Sequence, residues 1–285
     1  MKKRLDIQKT YKLYINGKFP RTESGRYFPI HDGDENLIAN ICQASRKDFR
    51  EAVKAARNAT AGWSARTAFN RGQILYRIAE TLEGRKEQFA EELATMGMKR
   101  KNAEKEVETS LDRLVYYAGW TDKYQQLFSS VNPVSSSHYN FSVPEYQGVI
   151  AIIAPANNPL LALISLIAPT VASGNTVVCL GSEKSPLSSI SFAEVLHASD
   201  MPAGVVNILT GFPSELSEHF SSHMDVNGII CCADHSDQFK SIQESAAENV
   251  KRVHFYNETN WMDCQSPYFI LDHTEIKTTW HPIGS

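Results

Sequence analysis

Four short segments carry the side chains best placed to do chemistry: Pro155–Asn158, Gly181–Lys184, Thr210–Phe212 and Ala233–Ser236. Each follows an apolar run and precedes a helix start, where an open parallel sheet receives its ligands beside helix N-termini. They supply the paired amides Asn157 and Asn158, the hydroxyl and carboxylate of Ser182 and Glu183, and the carboxylate of Asp234 beside His235. An amide donates a fixed, uncharged hydrogen bond and suits the stabilisation of transient charge. The same residues have a plainer use. Asn157 and Asn158 can cap the following helix, Ser182 and Glu183 can open the helix led by Pro186, and Asp234 makes a good N-cap.

Two other constellations could bind metal or react. His219 and His223 lie four apart on a predicted helix, a spacing that can hold zinc. With no suitably placed glutamate and no third ligand, they are expected to be solvated. The five cysteines (Cys42, Cys179, Cys231, Cys232, Cys264) are odd in number and lack metal-ligand spacing. Cys179, Cys231 and Cys232 fall in apolar runs and should act as small hydrophobes. Cys264, in a polar context, should be the most exposed.

The elements that must position these residues follow from the patterning. Near-continuous apolar strands are expected at Val149–Ala154, Thr176–Leu180, Val205–Leu209, Gly228–Cys232 and Arg252–Tyr256. Between them, helices are expected at Leu160–Ser173, Leu187–Ala198, Ser214–His223 and Ser236–Asn249, giving an α/β fold with a parallel sheet covered on both faces. Upstream, Tyr11–Phe19 alternates around Asn16-Gly17, a hairpin signal. Ser45 should cap a helix ending near Gly62-Trp63. Phe69–Leu93 has helical spacing, and Glu104–Tyr124 reads as another amphipathic helix. Met96–Lys101 reads as a surface connection. Ser129–Gln147 reads as an exposed β-arm. The expected division is 10–128 for hairpin and helices, 129–147 for the arm, 148–257 for the βα sheet and 258–285 for a tail, all within one domain. That tail, with Trp261 and Trp280, could dock elsewhere or fold back.

Composition narrows the function. Apolar residues make up 42% and charged residues 21% of 285 positions, with a net charge of -3. This fits a globular protein without a general grip on nucleic acid. The basic N-terminus has no apolar stretch after it, and Pro159–Ala172 is too short to span a bilayer, so no membrane partner and a cytoplasmic protein are expected.

From Gly148 to Gly211 the chain resembles the nucleotide-binding half of the aldehyde dehydrogenases. Pro155-Ala156-Asn157-Asn158-Pro159 is similar to the family's Pro-Trp-Asn-Phe-Pro, which implies that Asn157 holds the position of the oxyanion donor. Leu180-Gly181-Ser182-Glu183 stands where the family has Lys-Pro-Ser-Glu, whose lysine and glutamate hold the ribose of NAD(P). The resemblance thus implies cofactor contacts at Glu183 and Ser182, while Leu180 cannot donate. Pro202–Gly211 matches the family closely in residues that build a turn and a strand. Cys231-Cys232-Ala233-Asp234 replaces the family's Phe-Thr-Gly-Ser, setting a carboxylate where pyrophosphate would approach. Tyr256 stands at the place of the general-base glutamate, and Ser266-Pro267 resembles the Ser-Pro that follows it. Cys264 precedes that pair and so does not occupy the nucleophile's place.

The helix ending Ala118-Gly119-Trp120-Thr121-Asp122-Lys123-Tyr124 and the terminal Trp280-His281-Pro282-Ile283-Gly284 look most like the degenerate C-terminal domain of two-domain family-16 aldehyde dehydrogenases. That likeness implies a Rossmann-like domain with N-terminal helices and a β-arm, no catalytic domain and no metal. It also implies assembly with a full-length aldehyde dehydrogenase subunit or with itself. The leading expectation is a structural or regulatory subunit, inactive alone. The alternatives are an NAD(P)-dependent oxidoreductase whose site a partner completes, using Asn157 and Glu183, and a nucleotide sensor.

Overall fold

The computed structural model describes residues 9–32, 36–232, 236–256 and 260–284. The order is β1 (Tyr27–His31), β2 (Leu37–Cys42), α1 (Arg46–Ser64), α2 (Ala68–Glu83), α3 (Lys86–Thr95), α4 (Arg100–Trp120), α5 (Tyr124–Phe128), β3 (Ser130–Asn132) and β4 (His138–Tyr146). Then come β5 (Val149–Ile153), α6 (Pro159–Ala172), β6 (Thr176–Leu180), α7 (Leu187–Ala198), β7 (Val206–Leu209), α8 (Pro213–Ser222) and β8 (Gly228–Cys231). The chain ends with α9 (Ser236–Ala247), β9 (Arg252–Phe255), α10 (Tyr268–Leu271) and β10 (Thr274–Pro282).

The main sheet is parallel, in the order β7-β6-β5-β8-β9. Successive side chains of a strand face opposite ways, so each strand feeds two cores. Ile150, Ile152, Val177 and Cys179 join one core, with α6, α7 and the helices α2 to α4. Val149, Ala151, Ile153, Val178 and Leu180 join the other, with α1 and α8. Every residue of β5 and β6 is buried, which is why these strands read as unbroken apolar runs. The chain leaves β5 toward β6 and β7, then returns to β8 on the other side. The topological switch point therefore lies beyond the C-terminal ends of β5 and β8.

Local chemistry sets the helix starts. Ser45 and Asp48 form a reciprocal capping box at α1, and Asp48 also accepts from the Thr22 hydroxyl at 2.7 Å. At Asn16-Gly17 the φ angles are 52° and 68°, and Ile15 and Lys18 exchange both backbone bonds at 3.0 Å. This is the expected two-residue turn, but its limbs form no long ladder. Instead Tyr14 exchanges bonds of 2.9 and 2.8 Å with Ile208, covering the β7 edge of the sheet.

Other expectations need correction. The spacing over Phe69–Leu93 belongs to two helices, α2 and α3, broken at Gly84-Arg85. Both pack on α4, so the apolar stripe runs through the break without a mark. The helix expected from Glu104 starts at Arg100, whose guanidinium pairs with Glu104 at 2.8 Å, so part of the basic cluster is its first turn. The connection itself lies at the surface as expected, with Gly97 and Lys99 exposed, while Met96 and Met98 are partly buried against the core. The hairpin β1–β2 was not anticipated, because its first strand buries neither face fully. The segment Thr274–Pro282 pairs with β4 along its length, making tail and arm one antiparallel sheet, β10-β4-β3. Among the described residues, no helix is long and apolar enough to cross a membrane.

Candidate functional site

The loop after β5 is shaped by Asn158, which sits at φ 48° and ψ 57° as the N-cap of α6, ahead of Pro159. An amide side chain tolerates this left-handed region better than most. Asn158 makes no side-chain cap bond, so the capping role expected of the asparagine pair is not realised. Glu106 of α4 performs it instead. Its Oε1 accepts the backbone N–H groups of Leu160 at 3.0 Å and Leu161 at 3.2 Å, and its Oε2 accepts the Asn158 amide at 3.0 Å. Burial pushes the Glu106 carboxyl above the ordinary carboxylate range, opposed by these three donors. Asn157, next to it, is exposed and makes no hydrogen bond among the described residues.

The loop after β6 has a different character on each side. Ser182 is buried; its hydroxyl donates to the Ala156 carbonyl at 3.4 Å and accepts the Ser185 N–H at 3.2 Å. Through these bonds it ties the two loops together. Glu183 is exposed and free of partners among the described residues. Leu180 is fully buried among Val178, Leu209 and their neighbours. A ribose clamp would need a donor at that position, and the residue present is a hydrocarbon sealed in the core. The described residues therefore do not fit NAD(P) on its ribose side. Ala233, Asp234 and His235, where the pyrophosphate was in question, lie outside the described residues.

Beyond β9, Tyr256 donates its hydroxyl to the Asp272 carboxylate and packs its ring on Phe269 at 5.2 Å between centroids. Burial, reinforced by the Asp272 charge, raises the phenol far above its ordinary range. Such a group stays protonated and engaged within the chain. Cys264 is partly buried, the least enclosed of the five cysteines, and burial raises its thiol too. Its backbone is clamped by Arg113 of α4. That guanidinium donates to the carbonyls of Cys264 and Trp261, the latter at 3.0 Å, and to Ser165 Oγ at 2.7 Å. Tyr117 adds a bond to the Ser266 carbonyl at 3.1 Å.

Glu106, Ser110, Arg113 and Tyr117 escaped the sequence reading, yet all are buried on one stripe of α4. Their spacing of three to four residues was the available signal: polar groups repeating on an apolar helix face. His219 and His223 border a cleft of about 190 Å³ with Arg46, Phe49 and Arg50. His223 Nδ1 accepts the Asp225 N–H at 3.2 Å, and its ring meets Phe49 edge-on. No group of three metal-ligating side chains occurs among the described residues.

The geometry is that of a Rossmann-type switch point which, among the described residues, carries one exposed amide and one exposed carboxylate. Comparison with known proteins places it. Aldehyde dehydrogenase, cytosolic 1, from Elephantulus edwardii is 32% identical over 262 residues, covering 87% of this chain and 50% of the relative. Mouse cytosolic 10-formyltetrahydrofolate dehydrogenase is 34% identical over 262 residues, covering 88% of this chain and 28% of the relative. The NAD+ complex of an aldehyde dehydrogenase from Bacillus cereus superposes with a TM-score of 0.82 at 29% identity, covering 87% of this chain and 50% of that one. The chain thus spans about half the length of the first of these relatives, or less. With the sequence profile of the aldehyde dehydrogenase family matching residues 21–280, the chain belongs to that family.

Proposed function

We propose that this chain is a non-catalytic, aldehyde-dehydrogenase-like subunit of the cytoplasm that assembles with a full-length aldehyde dehydrogenase in a structural or regulatory role. The observation that carries the reading is Tyr256. At the position of the family's general base it offers a phenol held protonated by burial and bonded to Asp272. Leu180, buried in place of a ribose-binding lysine, points the same way. NAD+ is bound by the Bacillus cereus relative, and no step through it is assigned to this chain.

The arm supplies the docking surface for such a partner. Val131, Tyr139, Phe141 and Val143 lie on one face of β10-β4-β3 and line a cleft of about 370 Å³. Val131 and Tyr139 are exposed, and among the described residues β10 is an edge strand with β4 as its one strand partner, the kind of edge that can accept a further strand.

The test is co-purification of the intact chain from its native host, with mass spectrometry of what elutes and an aldehyde oxidation assay with NAD and NADP. Co-elution with an aldehyde dehydrogenase, lost in Phe141→Glu, is expected, together with no turnover by the chain alone. Turnover by the isolated chain overturns the non-catalytic reading, and recovery without any aldehyde dehydrogenase overturns the partner. Asn157→Ala in the assembly should leave turnover unchanged. A loss of about a hundredfold would instead support a shared site in which Asn157 donates to the oxyanion.

A further inference from the structure

Across the sheet from α2 to α4, the helices α1 and α8 pack through Phe49 stacked on Phe220, with ring centroids 4.2 Å apart. Beside that stack each helix turns residues at i, i+3 and i+4 to one cleft of about 190 Å³. Arg46, Phe49 and Arg50 come from α1; His219, Ser222 and the C-cap His223 come from α8. Positions so spaced share one helix face. The lining thus holds two guanidinium groups, two imidazoles and a hydroxyl, and no carboxylate. The chain as a whole carries a net charge of -3, so this cation excess is local.

Most of these donors have nothing to hold. Arg46 and His219 make no hydrogen bond or ion pair among the described residues. Arg50 meets its exposed neighbour Glu51 at 3.5 Å, a contact of little worth at a surface. His223 Nδ1 accepts the Asp225 N–H at 3.2 Å, which leaves the ring proton on Nε2 as a donor. Burial lowers the His223 imidazole and Asp225 opposes this, while Lys251, Arg46 and Arg50 lower it further. Three fixed cations therefore act on one ring. The Asp225 carboxylate is itself engaged, by Arg57 Nε at 3.6 Å.

A phosphate dianion answers this set. Its oxygens accept from two guanidinium forks and the imidazole N–H groups together, where a carboxylate offers two oxygens and a single charge. The volume equals the share of about six waters, and pockets that enclose drug-sized molecules start at about 300 Å³. A small body fits. Glu51, Glu218 and Asp225 are exposed within two positions of the lining residues and disfavour a long polyanion.

We infer that the α1–α8 cleft binds the phosphate group of a small phosphomonoester or free phosphate, with Arg46 and Arg50 on one wall and His219 and His223 on the other. This site is separate from the arm, so the inference stands independently of the aldehyde dehydrogenase partner. Isothermal titration calorimetry of the intact chain tests it, with inorganic phosphate, glycerol phosphate and acetate as probes. Both phosphates should bind, one per chain, and acetate should not. Tighter binding of glycerol phosphate marks an ester as the ligand, and equal binding marks phosphate itself. Arg46→Gln and Arg50→Gln, both at exposed positions, should each weaken binding by about tenfold or more, with circular dichroism unchanged. Lys105→Gln on α4 should bind like the wild type. Absence of saturable heat at millimolar phosphate overturns the proposal, as does binding that either folded arginine variant leaves unchanged. Acetate bound as tightly as phosphate overturns the dianion. A single-stranded oligonucleotide bound more tightly than either phosphate, and lost in the same two variants, overturns the small ligand.

Discussion

Glu106 receives the Asn158 amide at 3.0 Å across the gap between α4 and the loop that opens α6. A carboxylate from a distant helix thereby fixes the loop after β5 and takes two backbone donors from the start of α6. The loop's conformation is set by α4 rather than by its own asparagines, and Asn157 is left facing solvent as a consequence.

Removing the Glu106 carboxylate strands those donors in a buried site, so Glu106→Ala should cost about 3 kcal/mol. Glu106→Gln keeps an acceptor and should cost about 1 kcal/mol. The pH dependence has a definite sign. The folded carboxyl is raised above its ordinary value, so the native state holds its proton to higher pH than the unfolded chain does. Its contribution is complete below the ordinary carboxylate pKa and is lost as pH rises through the raised value. Urea denaturation from pH 4 to 8 should show this slope in the wild type and its absence in Glu106→Gln.

Arg113 is buried with no carboxylate among its partners, and burial lowers its guanidinium from the ordinary range. Its energy goes into holding Trp261, Cys264 and Ser165 together. Arg113→Met should therefore free the segment 261–266 more than it unfolds the domain. The expected signs are red-shifted Trp261 fluorescence and faster labelling of Cys264 by a thiol reagent, with a loss of about 3 kcal/mol in global stability. Labelling of Cys264 at the wild-type rate would show that the clamp does not control the segment.

What could be read from the sequence follows a physical boundary. The βα series was legible because burial on both faces makes Val149–Ile153 and Thr176–Leu180 continuous apolar runs. The turn at Asn16-Gly17 was legible because its chemistry is local. The partners that decide the site are not local. Glu106 bonds residues some fifty positions away, and Arg113 bonds Trp261 and Cys264, about 150 away. Tyr256 could be placed by alignment to a family motif, but its partner Asp272 comes from the turn after α10. The break at Gly84-Arg85 was hidden because α3 continues the stripe of α2 against the same helix.

His273 joins this C-terminal turn to the sheet. It is buried, its Nε2 has no partner among the described residues, and its carbonyl accepts the Asn175 amide at 2.6 Å. Burial, with His254 alongside, lowers its imidazole to about 3. A histidine depressed in the fold contributes stability that is complete above its unfolded pKa and is lost as pH falls below it. From the ordinary value near 6.5 down to pH 5, that loss is roughly 2 kcal/mol. His273→Leu removes the titrating group and the orphaned nitrogen while leaving the carbonyl to Asn175. Its stability should fall by about 2 kcal/mol less than the wild type's between pH 7 and pH 5. Because β10 begins at Thr274, the same acid shift should loosen the arm sheet first. Hydrogen exchange at Thr274–Pro282 should then accelerate at pH 5 in the wild type but not in His273→Leu. Equal acceleration in both would place the acid-sensitive group elsewhere.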